Sequence, residues 1–193
     1  MQQWCVQGIV APGMILSVNL SGLQLAQPEL ASNIEQVLRE SGLEPSYLQL
    51  EVTEGAIAEQ MSLGSQSLRY LQKLGIQIAI DDFGTGHSSL ARLQGFPVNK
   101  LKLDRSFITA LDEKAQSWQF VSAILNFARS LGLAAIAEGI ETLEQERQLK
   151  ALGCEYIQGY LYSPPVEAAA MGQLWGKSLL PKPLAAADQG ESL

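Results

Sequence analysis

Hydrophobic positions along this chain switch repeatedly between a period of two and a period near 3.6, and the switches mark out its elements. The clearest stretch is IQIAIDDFGTGHSS (76–89), in which Ile76, Ile78 and Ile80 alternate with Gln77, Ala79 and Asp81. That alternation predicts a strand ending in two adjacent carboxylates, Asp81 and Asp82, and opening into a loop that Gly84 and Gly86 make permissive. Strands are also predicted over 14–19, 47–52, 98–103, 133–138 and 155–158. Helices are predicted over 27–42, with Leu30, Ile34, Val37 and Leu38 on one face, Pro28 near the start and Gly42 past the end. Others cover 63–74, with Gly64, Leu68 and Leu71 at helical spacing, and 117–131, closed by Gly132. Thr142-Leu143-Glu144-Gln145 has the form of a capping box opening a helix that stops at Gly153, and 167–175 reads as a last helix. Residues 1–13 read as the tail of a helix and a Pro-Gly turn, 88–93 as a short helical piece, and 177–193 as a loose tail. No repeat and no internal linker interrupts the order.

Strands alternating with helices in this rhythm predict βαβ units and a parallel sheet. Strands covered on both faces are ordinarily apolar on both. Here Ser17 and Asn19, Gln49 and Glu51, Lys100 and Lys102, and Tyr156 and Gln158 place polar groups on alternate positions. Leu16, Val18, Leu48, Leu50, Leu101, Leu103 and Ile157 between them are expected to pack on helices. An inner face that turns polar near each strand's C-terminal end fits a (β/α) barrel with a site in its mouth. An open doubly wound sheet would concentrate such residues at one switch point. Six strands are visible, whereas a complete barrel runs to about 250 residues. The expectation is an α/β, TIM-like barrel whose first two strands are missing, with residues 1–176 as a partial domain and 177–193 as a flexible tail.

Composition narrows the chemistry. Of the 193 residues 47% are hydrophobic and 17% charged, a globular balance, and the formal charge of −7 argues against a general DNA- or RNA-binding surface. An acidic site still accepts a phosphate-bearing ligand when divalent cations invert its field. Cys5 and Cys154 form no CxxC or Cys/His cluster, which predicts a reducing compartment and no structural zinc. No apolar run approaches the roughly 18 residues of a membrane span and no signal-peptide pattern is present, so a cytoplasmic protein is expected.

The last inward polar residues of successive strands are Asn19, Glu51, Asp81 with Asp82, Lys102, Glu138 and Gln158. Each alone reads as a satisfied polar residue or a helix cap, but six strands delivering such groups to one end argue for a site. Adjacent carboxylates repel unless a cation or a shared proton relieves them. An all-oxygen set, without thiolate or imidazole, suits hard cations such as Mg²⁺ or Mn²⁺, and the number of carboxylates suits two of them. Two such ions clamp a phosphodiester and its attacking water. Lys102 is then placed to orient that water or offset developing negative charge, and Glu138 to take its proton.

The stretches SVNLSGLQL (17–25), LEVTE (50–54), DDFGTGHSSL (81–90), KLKLDRSFI (100–108), AEGIET (137–142) and QGYLYSPP (158–165) resemble the EAL domain family, in that family's order and spacing, over about residues 2–176. The resemblance implies a bacterial signalling phosphodiesterase that hydrolyses cyclic di-GMP to linear pGpG with Mg²⁺ or Mn²⁺, and pairing of two copies through this domain. It implies that Asn19, Glu51 and Asp81 are metal ligands and that Asp82 serves a second metal. Lys102, Glu138 and Gln158 match residues that position or activate the water and complete the metal shell. Glu54 matches the glutamate anchoring the DDFGTG loop, and Glu141 a supporting residue.

Three departures bear on activity. The Glu-Ala-Leu motif, whose glutamate is a metal ligand in the family, and the substrate-contacting arginine after it do not occur in this chain. His87 stands where the family usually has tyrosine, which reads as a loop-packing change, and Pro164 replaces a commonly basic position. The alternative is therefore an impaired EAL-like module that binds cyclic di-GMP or a protein partner without hydrolysis. A phosphoacceptor receiver domain also uses an acidic pair and a lysine, but it would leave Glu51, Glu138 and Gln158 unexplained.

Overall fold

The computed structural model describes residue 4 and residues 13–60, 64–84, 95–109 and 115–174. Six strands form one parallel sheet in chain order: β1 (Leu16–Asn19), β2 (Leu48–Thr53), β3 (Gln77–Phe83), β4 (Lys100–Leu103), β5 (Ala134–Ala137) and β6 (Tyr156–Ile157). The order never reverses, so no doubly wound switch point arises and the strand ends all lie along one rim, as in a barrel wall. Register aligns Asn19 with Glu51, Thr53 with Asp81, and Lys102 with Ile136.

The main crossovers are helices α2 (Leu30–Ser41), α4 (Gly64–Lys73), α6 (Ala115–Ser130) and α7 (Leu143–Ala151), and α8 (Ala168–Leu174) follows β6. Leu48, Leu50, Val52, Ile78, Ile80, Leu101 and Leu103 on the outer sheet face share one core with Leu38, Leu68, Leu71, Val121, Leu125 and Leu149 from these helices. Burial of those branched side chains is the main force holding helices to sheet. Gly42, in the left-handed region at φ 65°, ends α2. The Thr142 capping box is present: Thr142 Oγ1 accepts from Gln145 N at 3.2 Å, and Gln145 Oε1 accepts from Thr142 N at 3.1 Å.

Three short helices escape the periodicity argument: α1 (Gly22–Leu25), α3 (Glu54–Glu59) and α5 (Arg105–Thr109). Each is too short for a hydrophobic stripe to repeat. The legible signals were the caps, Ser21 with Gln24 for α1 and Thr53 for α3. Val18 corrects one expectation: instead of packing on helices it is 43% exposed. Among the described residues β1 has a neighbouring strand on one side only, so it lacks the double flank that buries Leu50 and Ile78. Tyr156 on β6, the other end strand, is exposed for the same reason. The predicted helical pieces at 1–13 and 88–93 and the tail at 177–193 lie outside the described residues, Trp4 apart.

Candidate active site at the strand ends

The site begins with an irregularity in β3. Ile80 pairs with Leu101 but Phe83 with Leu103, so three steps on β3 oppose two on β4 and one residue is extra. Asp82 takes up the bulge at φ 52°, the only non-glycine residue with positive φ among the described ones. A bulge re-aims side chains at a sheet rim, and aspartate tolerates the left-handed region better than most residues. Asp81 Oδ1 accepts from Asp82 N at 3.1 Å, which helps to hold the turn. Beyond it Gly84, at φ 94°, donates its N–H to Glu54 Oε2 at 2.9 Å. Glu54 is buried at the start of α3, so the start of the DDFGTG loop is tied to the neighbouring βα unit.

Lys102 is the hub. Its buried ammonium reaches Asp81 Oδ1 at 2.8 Å, Glu138 Oε1 at 2.7 Å and Glu51 Oε2, spending its three protons on carboxylates brought in by β3, the end of β5 and β2. Burial opposes the lysine charge, but hydrogen bonds to Asp81, Glu138 and Glu51 outweigh it and hold the Lys102 pKa above the usual lysine range. Burial raises the Glu138 pKa, with Lys102 pulling it back and Asp81 and Glu51 adding to the rise. Burial also raises Asp82, reinforced by the charges of Asp81 and Asp104. Counted as ions, Glu51, Asp81, Asp82 and Glu138 exceed the single Lys102 charge. That surplus and the all-oxygen donors suit a hard divalent cation. Among the described residues no three His, Cys, Asp or Glu side chains surround a common point as metal ligands. Where three carboxylates converge, the ammonium of Lys102 stands.

Asn19 lies at the exposed end of β1, opposite Glu51 in register. Gln158 follows β6, its backbone N–H donating to Ala137 O at 2.8 Å and its carbonyl accepting from Ile140 N at 3.1 Å. With Glu138 it lines a cavity of about 560 Å³ bounded also by Arg105, Glu141, Tyr160 and Pro164. Glu141 is partly exposed there and pairs with Arg105 at 3.2 Å, apart from the Lys102 hub. Reading along the strands singled out Lys100 and Gln49 only as inward polar residues. The structure buries both: Lys100 Nζ lies 5.0 Å from the ring centre of Tyr156, and Gln49 Nε2 donates to Glu51 Oε1 at 3.0 Å. Their signal was position, two residues before Lys102 and Glu51 on the same face. His87 lies outside the described residues.

Gly159 holds Gln158 in place by its lack of a side chain. A Cβ there would overlap the backbone N and O of Ile140, which cannot swing aside. Gly159→Ala should therefore destabilise the fold by about 3 kcal/mol, seen as a lower urea midpoint; an unchanged midpoint would refute that packing.

The model of the EAL domain matches residues 1–165. The bifunctional diguanylate cyclase/cyclic di-GMP phosphodiesterase MucR of Pseudomonas aeruginosa is 42% identical over 153 residues, covering 79% of this chain and 22% of MucR. This chain spans about a fifth of the length of the curated relatives it matches. Among solved structures, the MucR phosphodiesterase in complex with cyclic di-GMP superposes with a TM-score of 0.83 at 39% identity, covering 89% of this chain and 68% of that one. BlrP1 of Klebsiella pneumoniae, as its manganese and cyclic di-GMP complex, superposes with a TM-score of 0.74 at 28% identity, covering 83% of this chain and 41% of that one. The chain whose strand ends converge on Lys102 belongs to the EAL domain family.

Proposed function

We propose that this chain is a metal-dependent phosphodiesterase that hydrolyses cyclic di-GMP to linear pGpG in bacterial signalling. The observation that carries the reading is the hub itself: Glu51, Asp81 and Glu138 gathered from three strands onto buried Lys102, with Asp82 beside them in a bulge. The names of MucR and of the two cyclic di-GMP complexes support the substrate. Asn19, Glu51 and Asp81 would hold one Mg²⁺ or Mn²⁺, and Asp82 would serve a second. Such ions, when bound, polarise a phosphodiester and acidify the attacking water.

The chain's own residues supply the rest. Glu138, desolvated and with its pKa raised by burial, takes the proton of the water at its carboxylate oxygen. Lys102 keeps its charge throughout and offsets the negative charge that grows on the phosphoryl oxygens. Gln158 faces the same cavity as Glu138 and completes the polar rim, while Tyr160, Pro164 and Val166 offer the apolar wall that a nucleobase needs. Glu54 keeps the loop after Asp82 in register through Gly84, and Glu141 steadies Arg105 at the cavity edge. We place this chemistry in the cytoplasm; no helix of the described residues is long and apolar enough to cross a membrane.

One observation favours a second reading, a module that binds cyclic di-GMP without hydrolysis: among the described residues no three His, Cys, Asp or Glu side chains surround a point that could hold a metal ion, and the carboxylates converge on Lys102 instead. Glu138→Gln separates the two readings. In a phosphodiesterase it should leave cyclic di-GMP binding within about threefold and slow turnover by roughly 10²–10⁴-fold, read as pGpG by chromatography. Wild-type protein that binds the dinucleotide and yields no pGpG would support the module.

A further inference from the structure

We infer that Gln49 is a positioning residue that holds the Glu51 carboxylate in place for a divalent cation, which rests on the reading of Glu51 as a metal ligand. Gln49 is 2% exposed and lies on the inner face of β2, two residues before Glu51, so both side chains leave the strand on the same side. Its Nε2 donates to Glu51 Oε1 and to Ser17 Oγ, each at 3.0 Å. A carboxylate only accepts, so the amide nitrogen, not its oxygen, must face Glu51; chemistry settles the orientation of this amide.

Glu51 is thereby gripped on both oxygens, Oε1 by Gln49 from the layer below and Oε2 by Lys102 from the side. Each oxygen keeps a lone pair for a further partner. Ser17 sits two residues before Asn19, so the same amide ties β1 to β2 directly beneath two of the proposed ligands. The arrangement carries a cost. Gln49 Oε1 is buried and has no hydrogen-bond partner among the described residues, and a buried unsatisfied acceptor destabilises a fold. The amide nitrogen serves Glu51 and Ser17, while the carbonyl of the same side chain goes without.

Calorimetric titration of the intact chain with Mn²⁺ tests the inference, with Gln49→Met matching the side chain in length and Gln49→Asn keeping an amide but withdrawing it by one methylene. Both should bind Mn²⁺ about 10–100-fold more weakly, the usual effect of losing a partner behind a metal ligand. The melting temperature of metal-free Gln49→Met should stay within a few degrees of wild type, because removing the orphan carbonyl offsets the bonds lost at Glu51 and Ser17. Saturating Mn²⁺ should restore most turnover. Ser17→Ala, which leaves the bond to Glu51 intact, should weaken binding less than threefold. Mn²⁺ affinity within threefold of wild type in Gln49→Asn, while Glu51→Gln is clearly impaired, would overturn the inference alone. Unimpaired binding in Glu51→Gln would overturn it together with the metal reading beneath it.

Discussion

Replacing Lys102 by methionine should cost the metal-free protein about 3–5 kcal/mol of stability at neutral pH, the usual penalty for stranding a buried charge. The lysine side chain is 6% exposed and the carboxylates of Glu51, Asp81 and Glu138 are at most 20% exposed, so little water is available to replace it. The pH dependence follows in sign. Without the ammonium that pulls it down, the folded-state pKa of Glu138, already raised by burial, rises further. A group raised in that way favours the folded state at low pH and loses that contribution as pH climbs through the folded pKa. The variant should therefore recover stability on acidification, and Mn²⁺ should recover part of it at neutral pH. In the wild type the raised Lys102 pKa gives stability that is complete below the unfolded lysine value of about 10.4 and fades only above it. Urea denaturation across pH, with and without Mn²⁺, reads all of this; a variant as stable as wild type at pH 7 would show that the hub does not hold the strands.

Asp81→Ala should be the more damaging change for chemistry. Asp81 sits at the start of the bulge, accepts from Lys102 at 2.8 Å and from the backbone of Asp82 at 3.1 Å. Its loss removes a proposed metal ligand and loosens the turn that presents Asp82 as well. Turnover should fall by at least about 10³-fold, comparable to removing a principal charge-stabilising group. The fold should survive, because Ile78, Ile80 and Phe83 keep β3 in the core.

Much of this arrangement was legible in alternation along the strands. Isoleucines at every second position located β3, and the same parity put Glu51, Lys102 and Asp81 at one rim. The capping box located α7 to within two residues because Thr142 and Gln145 carry its chemistry in their side chains. Three things were not legible. The bulge at Asp82 is a backbone event, and two consecutive aspartates read the same with or without it. Which carboxylates share Lys102 depends on register between strands distant in sequence, a non-local quantity. Val18 has the pattern of a core residue, yet its exposure is decided by what lies beside β1 and not by its own alternation. Gln49 shows the same limit from the other side, since only the fold reveals that its amide faces Glu51.

The central claim is that the carboxylates around Lys102 form a divalent-metal site that cleaves cyclic di-GMP. The most direct test incubates the purified chain with cyclic di-GMP and Mn²⁺, follows pGpG by chromatography, and runs Asp81→Ala and a chelator control alongside. The account predicts pGpG from the wild type with Mn²⁺, none with chelator, and none above background from Asp81→Ala. A folded wild-type chain that binds cyclic di-GMP and forms no pGpG, or equal turnover by Asp81→Ala, would contradict it.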